Sequence, residues 1–176
     1  MSWLAKQGYE IEAVEISELA VRQFFHEQAL PVDIRQVGEW TVYCSIPESG
    51  EGHIRIWCGN YFEMSPSMLG QIDAVYDRAA LIALPETMRA PYVSKLLELT
   101  GPVPQFLITL DYEQEQMAGP PFSVPLNEIN QLYGGIYGEH TAPDVVIDVL
   151  PSHGHFAARG LEALSECVYL FQPSQK

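Results

Sequence analysis

The sequence predicts an α/β domain on a mostly parallel sheet with an antiparallel closing strand. Apolar runs of strand length alternate with segments of helical spacing, an order that implies right-handed crossovers and parallel pairing. Runs such as "YEIEAVEI" at 9–16 and "QFLITLDY" at 105–112 are apolar without clean alternation, as suits strands covered on both faces. The last two runs, 144–150 and 166–172, are separated only by a loop containing "PSHGHFAARG", which reads as a closing hairpin.

The elements follow in order. Residues 2–8 read as the end of a helix, with Trp3, Leu4 and Ala5 apolar and Gly8 as its stop. The strand at 9–16 comes next. Ser17 caps a helix in which Leu19, Ala20, Phe24 and Phe25 recur at helical spacing, and Pro31 ends it. "WTVYCSI" at 40–46 and "HIRIWCG" at 53–59 alternate around the turn signal "PESGEG", which predicts a hairpin. "IDAVYD" at 72–77 reads as a strand, "RAALIALP" as a short helix closed by Pro85, and 86–99 as a longer helix. After the strand at 105–112, "GPPFSVP" at 119–125 is a loop stiffened by two adjacent prolines. A helix of about 126–133 is expected to end at Gly134 and Gly135.

A chain of 176 residues suits one domain over 1–176. Nine Lys plus Arg stand against 23 Asp plus Glu, a formal net charge of -14. The cations are scattered singly, which argues against nucleic acid or an anionic membrane as partner. Cys44, Cys58 and Cys167 form no CxxC pair, and no apolar stretch approaches the ~20 residues that span a bilayer, so a cytoplasmic setting is expected.

In open α/β sheets ligands bind beyond the carboxyl ends of the strands. Three such ends carry suitable groups. Glu15 reads as an acceptor for a ribose diol or as a solvated strand terminus. Gly59 admits close approach of a flat ring and Asn60 offers donor and acceptor to an adenine edge, with Tyr61 beside them; a plain turn is the alternative. Asp77 and Arg78 end a buried strand, where the guanidinium needs Asp77, Glu15 or a ligand anion as partner. His153 and His155 in "SHGH" lack a third ligand at zinc spacing, so no metal is expected. No P-loop and no G-x-S-x-G elbow occurs.

"WLAKQGYEIEAVEISELAV", "IWCGNYFEM", "YDRAALIALP", "LITLDYEQEQMAGPPFSVP" and "ECVYLF" follow one another between residue 3 and about 171. In these stretches the sequence resembles the thiopurine S-methyltransferase family, especially its bacterial members. The resemblance implies a Rossmann-like, S-adenosylmethionine-dependent methyltransferase sheet and a small-molecule thiol as substrate; a monomer is expected when the protein is full length. It also implies N-terminal incompleteness: family members carry a strand and a glycine loop similar to "PLCGKS-x-D-M-x-W-L", and "MSWLA" matches that pattern entered at its internal methionine. A late start, a split gene or a truncation each gives this. A chain lacking that strand is expected to bind the cofactor weakly and to aggregate.

Carried over residue by residue, the resemblance implies that Glu15 holds the cofactor ribose and that Gly59, Asn60 and Tyr61 lie beside the adenine. Arg78 reaches the cofactor and active-site region, with Asp77 orienting it, and Pro120 to Phe122 cover the substrate ring. Asn60 stands where bacterial relatives often have Asp, and His155 where relatives often have Arg or Lys. The reaction so implied needs no obligatory base and depends mainly on alignment and water exclusion. Related chemistry on other sulfur, selenium or tellurium nucleophiles, and an inactive structural role, are the alternatives.

Overall fold

The computed structural model describes residues 1–173. The chain divides into two units, Met1–Leu69 and a second that begins at Gly70. Each is built on its own four-stranded sheet.

The first unit runs α1 (Ser2–Lys6), β1 (Ile11–Glu15), α2 (Glu18–Glu27), β2 (Val32–Val37), β3 (Trp40–Ser45), β4 (Ile54–Cys58), a 3₁₀ turn (Tyr61–Glu63) and α3 (Pro66–Leu69). Ser17 caps α2 as expected, its hydroxyl oxygen accepting the Ala20 N–H at 3.3 Å. The sheet order is β1-β4-β3-β2. Val21 and Phe25 of α2 pack on Ala5, Tyr43, Ile54 and Ile56, the buried core of this unit. Full burial of each large apolar side chain stabilises by about 1.5–3 kcal/mol.

The second unit runs β5 (Val75–Arg78), a 3₁₀ turn (Leu81–Ala83), α4 (Glu86–Thr100), β6 (Gln105–Asp111), α5 (Leu126–Tyr137), β7 (Val145–Asp148), α6 (Gly154–Ala157) and β8 (Ser165–Phe171). Its order is β5-β6-β8-β7. Leu107, Tyr169 and Phe171 from the sheet are buried, as are Ile129 and Tyr133 from α5. The ring of Tyr133 stacks on Phe171 with centroids 4.7 Å apart. Among the described residues no helix is long and apolar enough to cross a membrane.

The expected alternation of strands and helices is present, but the single, mostly parallel sheet is not. Among the described residues only β1–β4 and β5–β6 pair in parallel. The other four pairings, β2–β3, β3–β4, β6–β8 and β7–β8, are antiparallel. For β2–β3 the short connection is the cause, because a two-residue loop cannot carry the chain back to make a parallel neighbour. Gly38 and Glu39 join β2 to β3, with Gly38 at φ 59 supplying the backbone such a tight hairpin requires. The predicted 40–46/53–59 hairpin and the closing β7–β8 hairpin are both present. Strand β2 was not expected as a separate element. Its "VDIRQV" is polar because it is an exposed edge strand.

A second difference lies in α5, which runs through Gly134 and Gly135 and stops only at Gly138, φ 90. The contact of Tyr137 with Phe171, centroids 5.1 Å apart, lies beyond those glycines. This packing outweighs their poor helix propensity, about 1 kcal/mol each.

Candidate active site

In the first unit, the parallel pairing of β1 and β4 sets their carboxyl ends side by side. The Gly59 N–H donates to the Glu15 carbonyl at 3.0 Å, so Glu15 and Gly59–Asn60 share one end of the sheet. The Glu15 Oε1 atom accepts the Ser17 N–H at 2.8 Å, which fixes the carboxylate at the start of α2. One carboxylate oxygen and the helix turn are thereby tied together, and the half-buried side chain keeps acceptor capacity on its other oxygen.

Asn60 is occupied locally. Its Oδ1 accepts from the Phe62 N–H at 3.2 Å and its Nδ2 donates to Glu63 Oε1 at 3.0 Å, so it caps the 3₁₀ turn. The flat ring that approaches Gly59 here is an indole. A Cβ at Gly59 would fall 2.6 Å from Cε3 of Trp40, so the glycine is required for this packing. Tyr61 stands edge-on to Phe62 at 5.4 Å.

In the second unit, β5 delivers Asp77 and Arg78 to opposite faces, as successive strand residues must be. Asp77 is 3% exposed. Its Oδ2 accepts from the Tyr92 hydroxyl at 2.9 Å and its Oδ1 from the Leu81 N–H at 3.4 Å. Burial raises the Asp77 pKa, against the hydrogen bonds from Tyr92, Leu81 and Ala80 that favour the anion. Asp77, one of the partners weighed for Arg78, is engaged elsewhere. Asp77 anchors the turn that follows Arg78, while Arg78 Nη2 meets Glu166 Oε1 on β8 at 3.2 Å. The carboxylate of Glu166 raises the Arg78 pKa. Ala79, which follows Arg78, sits at φ 70, a left-handed conformation that is strained for a residue with a Cβ.

Arg78, Ala79 and Glu166 line a cavity of about 480 Å³ together with Ile82, Ile108, Leu110, Pro120, Pro121, Val149, His153 and Phe156. Its proline wall is held by bonds to β6, to the residue after it and to the 3₁₀ turn at Leu81–Ala83. The Phe122 N–H donates to the Ile82 carbonyl at 2.7 Å, the Val124 N–H to the Leu110 carbonyl at 2.8 Å, and the Tyr112 hydroxyl to the Pro121 carbonyl at 2.6 Å. Gly119, at φ 76, lets Phe122 fold back, since a Cβ there would fall 2.4 Å from Cδ1 of that ring. Thr109, fully buried, also lines the cavity, and its hydroxyl has no hydrogen-bond partner among the described residues.

Sequence reasoning did not single out Glu166, Thr109 or Phe156. A carboxylate opening the apolar run "ECVYLF" was the available signal for Glu166. His155 is exposed beside Phe156, whereas its neighbour His153 lines the cavity and sets Nδ1 3.0 Å from the Val149 carbonyl. Among the described residues no group of three or more His, Cys, Asp or Glu is placed to hold a metal ion.

A family model described as thiopurine S-methyltransferase (TPMT) matches residues 1–174. The chain belongs to the thiopurine S-methyltransferase family. A family relative named "Thiopurine S-methyltransferase" from Gluconobacter oxydans (strain 621H) is 47% identical over 137 residues, 78% of this chain and 60% of the relative. Relatives of the same name from Bordetella petrii and Nitrosomonas eutropha are 42% and 40% identical over 173 residues, 98% of this chain and 75% of each relative. The matches thus span about 60–75% of the length of these curated family members.

Proposed function

We propose that this chain serves S-adenosylmethionine-dependent methyl transfer to the sulfur of an aromatic or heterocyclic thiol, on a Rossmann-like methyltransferase scaffold. Glu15, Gly59 and the Tyr61 side serve the adenosyl group, and the Arg78 cavity serves the acceptor. The single observation behind this reading is the cavity. In a member of this family, a largely apolar chamber of about 480 Å³ carries one guanidinium on its wall. Ligand sites of this size combine apolar walls with a few polar groups that fix orientation.

The chain's own groups fit the cofactor unequally. Glu15 fits, because one oxygen is fixed by the Ser17 amide and the other is left for a hydroxyl donor. The Asn60 amide fits less well, its oxygen capping the turn and its nitrogen donating to the Glu63 carboxylate. S-adenosylmethionine supplies a methyl group on a positively charged sulfur, already activated for displacement. Arg78 orients the acceptor and favours its thiolate form by charge. Pro120, Pro121 and Phe156 hold the ring and exclude water, which strengthens that attraction. Asp77 acts through the backbone turn, keeping Arg78 at the cavity wall. No general base is required, since an aromatic thiol ionises readily near neutral pH.

The test is transfer of a labelled methyl group to 6-mercaptopurine, comparing the chain with its Arg78→Ala variant. The reading expects product with the parent and a loss of kcat/KM of at least about tenfold in the variant. Equal turnover by both proteins contradicts the role of Arg78, and no methylated product from the parent at any enzyme concentration contradicts the activity.

A further inference from the structure

Which ring nitrogen carries the proton decides what a histidine can recognise. At His153, in the second unit, the local bonding fixes this. Its Nδ1 lies 3.0 Å from the Val149 carbonyl oxygen and 3.1 Å from Ser152 Oγ. A carbonyl oxygen only accepts, so the contact needs a proton on Nδ1. The Ser152 hydroxyl donates to the same carbonyl at 3.0 Å, which leaves its lone pairs for the Nδ1 proton. In the neutral ring Nε2 is therefore the acceptor. Among the described residues every hydrogen bond of the ring runs through Nδ1, so Nε2 remains for a ligand or water.

The ring is also held in place at the cavity wall. The His153 N–H donates to the Leu150 carbonyl at 3.1 Å, and the Phe156 N–H to the His153 carbonyl at 2.9 Å. His153 and Phe156 both line the cavity, with ring centroids 6.2 Å apart and planes 40° from each other. An aromatic ligand laid against Phe156 thus comes close to the imidazole. Arg78 carries donors only, and Glu166 already meets it through Oε1. A ligand N–H that leaves water for this largely apolar chamber costs free energy unless an acceptor meets it.

We propose that His153 Nε2 accepts a hydrogen bond from the ring N–H of heterocycles bound in this cavity, adding affinity for nitrogen heterocycles. The inference rests on reading the cavity as the acceptor site. Within that reading His153 is a specificity-determining residue.

The experiment titrates the chain with indole and benzofuran, isosteres of which only indole has an N–H. The NMR signals of Ile82, Ile108 and Phe156 are followed at about pH 8, where an ordinary imidazole is neutral. The readout is the ratio of the two affinities, so that the different hydrophobicity of the probes cancels between proteins. His153→Asn keeps an N–H donor near the place of Nδ1 and removes Nε2. It is expected to lower the preference for indole about fivefold. His153→Gln, whose amide oxygen can take the place of Nε2, is expected to keep the ratio within about twofold. So are Glu166→Ala and Thr109→Val, which remove the other side-chain acceptors of the wall. An unchanged ratio in His153→Asn, or an equal fall in any of the other three variants, overturns the inference and leaves the acceptor-site reading standing. If neither probe moves the cavity signals of the parent, the acceptor-site reading fails and the inference falls with it.

Should His153→Asn not fold, nitrogen NMR of the parent imidazole decides. Nδ1 must carry the proton in the free chain, and indole but not benzofuran must shift Nε2. A proton on Nε2, or Nε2 shifts from both probes or from neither, overturns the inference.

Discussion

The carboxyl ends of the two parallel strand pairs are finished in different ways. In the first unit the side chains at the strand ends bond to near neighbours, Glu15 to Ser17 and Asn60 to Phe62 and Glu63. In the second unit the strand-end cation is held from the far end of the sequence, Arg78 and Glu166 being 88 positions apart. Part of the cavity wall there is likewise hung on a distant segment, Phe122 on Ile82. Local bonding orients a strand-end side chain through its own turn, whereas long-range bonding orients one only when the whole unit is packed.

Substitutions can break this contrast. The largest effect is expected at Arg89, 3% exposed, which bonds Glu128 at 2.6 Å and the Leu84 carbonyl at 3.0 Å. Its guanidinium also lies over the Phe122 ring at 5.7 Å. Arg89→Ala leaves Glu128 without its partner and should cost about 3 kcal/mol in denaturant unfolding. Arg22→Ala in the first unit removes an exposed partner of Glu18 four residues away and a guanidinium 5.5 Å over the Tyr43 ring, and should move the midpoint far less than Arg89→Ala.

A smaller effect is expected at Thr109. Thr109→Val removes the unpartnered buried hydroxyl at constant shape and should stabilise by about 1–2 kcal/mol, read from the same unfolding curves.

The two left-handed alanines sharpen the comparison further. Ala29, φ 51, follows α2 where the Leu30 N–H reaches the Phe25 carbonyl at 3.0 Å, a helix-ending turn that favours glycine. Ala29→Gly should stabilise by about 1 kcal/mol and leave function unchanged. Ala79→Gly relieves similar strain but loosens the turn that carries Arg78, so melting temperature should hold or rise while methyl transfer falls.

Asp77 gives the smallest effect, and it appears as pH dependence. Burial raises its folded pKa above the unfolded value, so the folded state binds the proton more tightly and is favoured at low pH. That contribution is lost as pH rises from the ordinary aspartate range through the raised folded pKa. Stability of the parent relative to Asp77→Asn should therefore decline over that window. A flat difference between the two proteins would remove the charge-burial account.

What the sequence revealed divides along the same line. The Ser17 cap, the β3–β4 hairpin and the strand ends at Glu15 and Arg78 depend on residues close in the chain and were legible. Strand β2 was hidden because an exposed edge carries polar residues. The end of α5 was misplaced because its glycines are overridden by packing on Phe171. Glu166 was missed because its role depends on a partner far away in the chain. The sheet was expected to be single because alternation of strands and helices does not reveal which strand pairs with which.

The most direct measurement assigns the two ends separately. An NMR titration of the chain with S-adenosylhomocysteine, followed by one with thiophenol, reports which amides each ligand perturbs. The account predicts saturable shifts at Glu15, Gly59 and Tyr61 with the first ligand and at Ile82, Ile108 and Phe156 with the second. Glu15→Gln should weaken only the first. S-adenosylhomocysteine shifts that leave Glu15 and Gly59 untouched, or equal affinity in Glu15→Gln, would contradict it.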